Sequence, residues 1–559
     1  MHRLKSFATA LRLVFGLVFG LVTLHFMTGP AIAAWYEASS EHFVIYADDS
    51  PKDLKRYAEN LERYHSAMEY VTGHKTEEIT PSNRVVIFVA GSRRDIRKLA
   101  GTGDRYISGF YIPRAAASRA FVQNIRNSNG YPHISTIVLL HEYTHHFMMS
   151  QERFAFPLWL NEGAAEFFAA ATFKRDGTVL IGRPAQHRGA ELLYANDVSL
   201  EELFDQELYE KNRGRGYDAF YGRSWLLYHY LTFEPERAGQ LADYGRAIVR
   251  GQSSLDAARD VFGDLGQLER ELAAYQRQRR MFTFALPPEK LNASPVSMRK
   301  LPEGEAKMMP LRMRSQRGVT SEQAVELLAE VRAVAAQYPD DAGVQTALAE
   351  AEYDAGNDAQ AIAAADRAIA LDPTRANAYV QKGFALFRMA REAEDEEQDA
   401  AYDRAMKPFA RLNRVEVNHP LPLLYYYRSF TERGLDPPEK ARLALERAAQ
   451  LAPFDQSLWF EVAMLQLREG KIALARNSLQ PIAYNPHGGA MKVRAQNLVE
   501  QLAELPEGAA LSSQTLAMIA GSSDLRATLV NDSDEEDPSD PEDGAAAPVE
   551  GDMDQDEAD

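Results

Sequence analysis

Tyr338-Pro339 returns as Asp372-Pro373 after 34 residues. A fixed period of this length restricts what the chain can fold into. Proline disfavours helical backbone in the residue before it, so each marker closes a helix. Between the markers, Leu348-Ala349, Gly356, Ala361, Ala365 and Ala368 place small residues at helical spacing. The interval holds two helices and their turns, and small side chains let the pair approach closely. One such unit cannot bury its apolar face alone, so it must stack on neighbours. Tyr379 and Gly383 match the first helix of the next unit. Ala441 and Ala448 lie in the unit ending at Ala452-Pro453, and the one after it opens with Trp459 and carries Ala463, Gly470 and Ala475. The array runs in about four units to roughly Leu505, and the acidic stretch 391–401 distorts its middle.

This pattern resembles the tetratricopeptide repeat. The resemblance implies an all-α solenoid over 318–505 that recruits a protein partner or positions the chain in an assembly.

Upstream the periodicity changes. HFVIYADD alternates as a strand, with Phe43 and Ile45 on one face. Leu54, Tyr57, Ala58, Leu61, Tyr64 and Met68 then follow helical spacing. RVVIFVAGS is a β-branched run ended by Gly91-Ser92, and Phe121-Val122 marks another strand. From Ile134 to about position 280 the pattern is largely helical. Strands followed by helices predict an α+β domain over 35–281, a small mixed sheet plus helices. Between 282 and 317, Pro287-Pro288, Pro295, Pro302 and Pro310 cluster with Gly304. That stretch reads as a linker or irregular strap.

Arg3, Lys5 and Arg12 accompany an almost wholly apolar run at 13–27, and Ala31-Ile32-Ala33 supplies the small-x-small string that signal peptidase reads. Residues 1–33 are therefore expected to be a cleaved export signal, because the apolar run falls short of the ~20 residues that span a bilayer. Left uncleaved, this segment is the expected membrane attachment. The expected location is periplasmic or secreted. The sequence has no cysteine, so disulfides contribute nothing and a metal site must draw on His, Asp or Glu. The formal net charge of −18 is concentrated at the end, where 531–559 hold 14 acidic residues and no Lys or Arg. Residues 506–559 are expected to form an acidic, disordered tail. No basic stripe offers an electrostatic footprint for nucleic acid.

The string HEYTHH spans 141–146. Ile134, Ile137, Val138 and Leu140 precede it and Phe147-Met148 follow, so it sits on a helix. His141 and His145 then share one face, one turn apart, and both imidazoles can reach one cation at the ~2.0–2.1 Å that zinc requires. Glu142 is displaced by one residue and points beside the cation, where it can take a proton from water. His146 is the spare, expected at the surface or behind a ligand. A catalytic zinc needs a third protein ligand. PLWLNEGAAEFF (157–168) supplies candidates, with Asn161 as a helix cap and Glu162 and Glu166 four residues apart on one face. Glu162 is assigned as the third ligand. Glu166 can accept the free ring N–H of a ligand histidine.

HEYTHH followed by WLNEGAAEFF resembles the gluzincin zinc metallopeptidases, the peptidase MA-like superfamily of thermolysin-like and aminopeptidase-like enzymes. The resemblance covers roughly 35–280. It implies a thermolysin-like zincin domain, zinc held by His141, His145 and Glu162, Glu142 as general base, and Glu166 supporting a histidine. YGRSWLLYHYL, starting at Tyr221, resembles the tyrosine-led helix of the aminopeptidase-like branch. By that correspondence the Tyr221 hydroxyl stabilises the oxyanion. Tyr217, Arg223 and His229 are weaker candidates. The Gly-x-Met-Glu-Asn string that holds a substrate's free amine in that branch does not precede His141, which favours an endopeptidase.

The expected function is an exported zinc metallopeptidase acting on a protein or peptide substrate, with an added substrate strand pairing along the sheet near Phe121. Two rivals stand beside it. One is a catalytically inactive peptidase-like domain serving as a protein-binding scaffold. The other is a metal-dependent hydrolase of a cell-wall amide.

Overall fold

A computed structural model of the chain describes residues 34–76, 79–101, 107–125, 131–151, 156–213, 216–485, 489–503 and 505–509. The expected export signal and nearly all of the acidic tail lie outside the described residues. What is described is a mixed sheet with helices, followed by a long all-helical region.

Strands β1 (Tyr36–Ser39), β2 (Phe43–Ala47), β3 (Val85–Val89), β4 (Gly109–Ile112), β5 (Arg119–Val122) and β9 (Ser297–Lys300) form one sheet in the order β4-β5-β3-β2-β1-β9. β2, β3 and β5 run parallel, and β4, β1 and β9 pair antiparallel with their neighbours. Helix α1 (Pro51–Thr72) opens on a proline, which costs no hydrogen bond there. It buries Leu54, Tyr57, Ala58, Leu61, Tyr64 and Met68, the stripe its spacing predicts. Helix α2 (Arg93–Ala100) follows β3, with Ser92 accepting from the Asp95 N–H as its cap.

Helices α3 (Ile134–Gln151) and α4 (Leu158–Ala169) come next and pack on each other. The region after them is largely helical, as the spacing predicts, but it also contributes strands. β6 (Thr172–Phe173), β7 (Val179–Ile181) and β8 (Phe284–Leu286) make a second, antiparallel sheet. Between β7 and β8 run α5 (Gly189–Tyr194), α6 (Leu200–Phe204), α7 (Gln206–Arg213), α8 (Phe220–Phe233), α9 (Gln240–Val249), α10 (Ser254–Phe262) and α11 (Leu265–Gln276).

The stretch 282–317, expected as an irregular linker, is structured. β8 completes the second sheet. β9 pairs with β1 in the register Tyr36↔Lys300 to Ser39↔Ser297, and the Leu301 N–H donates to the Trp35 carbonyl at 2.9 Å. Helix α12 (Glu303–Gln316) then buries Met308, Met309, Leu311 and Met313. Two of these prolines misled because they occupy tolerated places, whereas Pro310 lies inside α12. Pro288 opens a 3₁₀ turn and Pro302 precedes the first turn of α12.

The helical region continues as α13 (Ser321–Gln337), α14 (Ala342–Asp354), α15 (Asp358–Leu371), α16 (Ala376–Arg391), α17 (Asp395–Val415), α18 (Pro420–Thr431), α19 (Glu439–Leu451), α20 (Gln456–Arg468), α21 (Ile472–Ala483) and α22 (Gly489–Ala503). Consecutive helices pack on one another along the whole series. The small residues serve close approach, as the pattern predicted. A Cβ on Gly383 of α16 would stand 2.5 Å from the Phe409 ring of α17. Most of the acidic insert is absorbed into the first turns of α17, where acidic side chains suit the helix dipole.

The array folds back onto the N-terminal domain. The Ser82 N–H and hydroxyl donate to Glu416 at 3.0 and 2.7 Å, Asn83 Nδ2 donates to the Leu451 carbonyl at 2.7 Å, and the Ala115 N–H donates to Asp455 at 2.8 Å. Ala115 and Met149 pack against an array core that includes Phe409, Tyr425 and Phe454.

Candidate metal centre

Helix α3 is apolar over most of its surface, with Ile137, Leu140, Tyr143 and Phe147 buried. Its interior placement carries His141 and His145 out of solvent, each less than a tenth exposed. Their Nε2 atoms approach to 3.1 Å. Helix α4 is buried along nearly its whole length, and Glu162 is fully buried. Its Ncap residue is Pro157 rather than Asn161, which was expected to cap it. The Asn161 amide instead donates back to the Phe156 carbonyl at 3.1 Å.

Glu162 Oε2 lies 3.3 Å from His141 Nε2 and 3.6 Å from His145 Nε2. Donors at ~2.0–2.1 Å from a tetrahedral zinc stand about 3.3 Å from one another. The triangle of 3.1, 3.3 and 3.6 Å therefore fits one face of such a tetrahedron. Two imidazoles and a carboxylate are also a donor set that zinc accepts, so these residues fit the metal.

Behind this triangle Glu166 organises the histidine. Its Oε1 stands 3.1 Å from His141 Nδ1 and accepts from Arg188 Nη2 at 2.6 Å, while Oε2 faces His187 Nε2 at 2.5 Å. An ionised carboxylate only accepts, so His141 carries its proton on Nδ1 and presents Nε2 to the triangle. By the same logic His187 Nδ1 accepts from the Tyr131 hydroxyl at 2.7 Å. Burial would raise the Glu166 carboxyl, but Arg188 and His187 hold it well below the usual carboxylate range. Burial would likewise raise Glu162, and His145 and His141 outweigh it downward. For His141, burial pulls down, yet hydrogen bonds to Glu162 and Glu166 raise it to about 10, so without a cation the ring also holds a proton on Nε2, which a metal would displace.

Tyr221, in the first turn of α8, lies beside the centre, its ring 6.5 Å from that of His141 and tilted by 53°. The Arg188 guanidinium sits 4.6 Å above the Tyr221 ring, tying that ring to the Glu166 cluster. Arg188 also pairs with Glu191 at 3.2 Å, and Glu191 accepts from the Gly222 N–H at 2.5 Å. Burial pushes the Glu191 carboxyl up to about 7 against the pull of Arg188.

Helix α3 carries Glu142 half-buried toward β4 and β5, among Phe110, Tyr111 and Phe121. The edge strand on that side of the sheet is β4. Phe121 belongs to β5, one strand in from the edge, so a strand added at the edge would pair with 109–112.

Of the three weaker candidates, Tyr217 is near enough to Glu191 and Arg188 to feel their charges, while Arg223 and His229 are engaged elsewhere. Tyr217 is 46% exposed. Arg223 pairs with Glu269 and donates to the Val198 carbonyl. His229 is fully buried between the Gly182 carbonyl and the Tyr275 hydroxyl. His146, expected at the surface or behind a ligand, is buried against the array. Its Nδ1 lies 2.6 Å from the Tyr111 hydroxyl, and burial pushes it down to about 3.

No protein-family model matches the chain. No curated protein matches it. Among solved structures, the chain is similar to TTC0263, a thermophilic TPR protein of Thermus thermophilus. That match has 19% identity over 32% of this chain and 92% of that one, with a TM-score of 0.29. It is also similar to MamA, at 18% identity over 37% of this chain and 99% of that one, with a TM-score of 0.24.

His187, Arg188 and Tyr131 were not read from the sequence. They come from irregular segments without periodicity. The one available signal was the need of a buried Glu166 for counter-charge.

Proposed function

We propose that the chain is an exported zinc metallopeptidase, an endopeptidase whose helical array binds protein. One observation carries the reading: the three donors of His141, His145 and Glu162 stand 3.1–3.6 Å apart in a buried cluster. Zinc held there would act as a Lewis acid and lower the pKa of a water toward ~7.

The protein's own groups have distinct tasks in this reading. Glu166, anchored by Arg188 and His187, fixes the His141 tautomer and ring plane. Glu142 takes a proton from the attacking water and later returns it to the leaving amine. The Tyr221 hydroxyl donates to the oxygen that gains charge at the carbonyl. An extended substrate pairs along β4. The stacked helix pairs fit a tetratricopeptide solenoid that presents a protein-binding surface.

Metal analysis of the purified chain, paired with casein cleavage by the native chain and by Glu142→Gln, tests this. One zinc per chain with cleavage that depends on Glu142 supports it. Metal-free protein would leave an exported scaffold, and release of fragments from peptidoglycan alone would point to a cell-wall amidase.

A further inference from the structure

A cavity of about 360 Å³ lies between α3–α4 and the α20–α21 pair of the array. His145, one of the three clustered donors, is part of its wall, so the cavity opens directly beside the candidate metal centre. We propose that it binds an uncharged, apolar stretch of extended polypeptide, so that the array builds one wall of the substrate cleft. This rests on the peptidase reading for what happens next to the bound segment, but the binding itself does not.

The lining chemistry selects the occupant. Met148 and Phe156 line the N-terminal side, and Trp459, Leu474 and Ile482 line the array side. Asn161 on the N-terminal side and Asn477 and Gln480 on the array side supply neutral amides. Among the described residues no Asp, Glu, Lys or Arg lines it. A charged side chain entering would lose water and meet no opposite charge, which is costly. An apolar side chain loses nothing polar, and side-chain amides pair with the N–H and C=O groups of a peptide backbone. The volume suits short peptide segments, since ligand cavities run at roughly 300–1,000 Å³. The occupant's position is fixed by continuity with His145: it sits along the chain from the bond at the metal.

The test uses the full chain carrying Glu142→Gln, so that bound peptide is not turned over. Blocked decapeptides of Ala and Gly, with a central Leu-Phe-Leu, Lys-Lys-Lys or Glu-Glu-Glu, are titrated by calorimetry. The apolar peptide should bind at least about tenfold more tightly than either charged one. Leu474 is 50% exposed, so Leu474→Glu should leave the fold intact and weaken the apolar peptide by about tenfold. Equal affinity for the three peptides, or no effect of Leu474→Glu, would overturn the proposal. Selective binding to a chain whose native form cleaves nothing would support the cavity and remove the peptidase. Cleavage by the native chain with indifferent peptide binding would do the reverse.

Discussion

The ring of Phe454 lies 4.4 Å from that of His146, tilted by 38°. One residue belongs to the helical array and the other to the helix that carries His141 and His145. Phe454 is buried in the array's core, and Met149 of α3 packs against that same core. The array is thus packed against the helix of the candidate centre rather than tethered at a distance.

Phe454→Ala removes this contact and leaves a cavity at a junction of two cores. A buried Phe→Ala change costs about 3–5 kcal/mol. The expected outcome is a lower thermal midpoint, with the array and the N-terminal domain melting as two transitions in calorimetry. Zinc stoichiometry should be unchanged, because the three donors are carried by α3 and α4 and backed by Glu166, all within the N-terminal domain. A single, unshifted transition would show that the junction contributes little.

Glu162 and Glu166 should separate by the size of their effects on metal binding. Glu162→Ala removes a donor from the triangle, and competition with a chelator should show near-complete loss of zinc at neutral pH. Glu166→Ala leaves all three donors but frees the His141 ring and strands Arg188 and His187. Loss of such a partner costs about 10–100-fold in affinity. If the two variants ranked in the opposite order, Glu166 would be the ligand.

The contrast between these residues also marks what the sequence made legible. His141, His145, Glu162 and Glu166 were readable because helical spacing of four places side chains on one face, whatever the tertiary structure does. The small residues of the array were readable for the same reason, and Gly383 against Phe409 shows the contact they serve. His187 and Arg188 reach Glu166 from a turn, where no period announces direction. β9 was hidden because its partner β1 lies at the far end of the domain, and a short strand amid prolines has no local signature. The contact of Phe454 with His146 joins two regions that each look self-contained in sequence.

His229 should give the protein an acid-sensitive step. Its Nε2–H donates to the Gly182 carbonyl at 2.9 Å, so Nδ1 accepts from the Tyr275 hydroxyl at 2.8 Å, and the ring is neutral. Burial lowers its pKa from 6.5 to about 4. Below 6.5 the unfolded chain takes up a proton that the folded chain refuses. Stability from this group is therefore present above about pH 6.5 and lost as the pH falls through about 4. The full loss is about 3 kcal/mol, at ~1.36 kcal/mol per unit. Urea unfolding between pH 7 and 4 should show this decline, and His229→Gln should flatten that part of the profile. A slope unchanged by the substitution would assign the acid sensitivity to other buried groups.

Gly163→Ala should damage activity through the spacing of two helices. Gly163 lies on α4 next to Glu162, and α4 packs closely on α8, which carries Tyr221 in its first turn. A Cβ at 163 would stand 2.6 Å from the Ser224 carbonyl oxygen and 3.1 Å from Tyr228 Cβ. The first neighbour is backbone and cannot rotate away, so the helices must separate. Overpacking of this kind costs about 1–3 kcal/mol, which a chain of this size survives folded. The shift falls between Glu162 and Tyr221, the two groups that must be placed relative to each other for the carbonyl oxygen to meet its donor. A displacement of about 1 Å is enough to cost 10²-fold in rate. Zinc binding should persist, because α3 and α4 move little relative to each other. The expected result is a folded, zinc-loaded variant with peptidase kcat reduced by about 10²-fold and KM little changed. Full activity in that variant would mean that the register of α8 against α4 is irrelevant to the reaction, and Tyr221 would lose its assigned role.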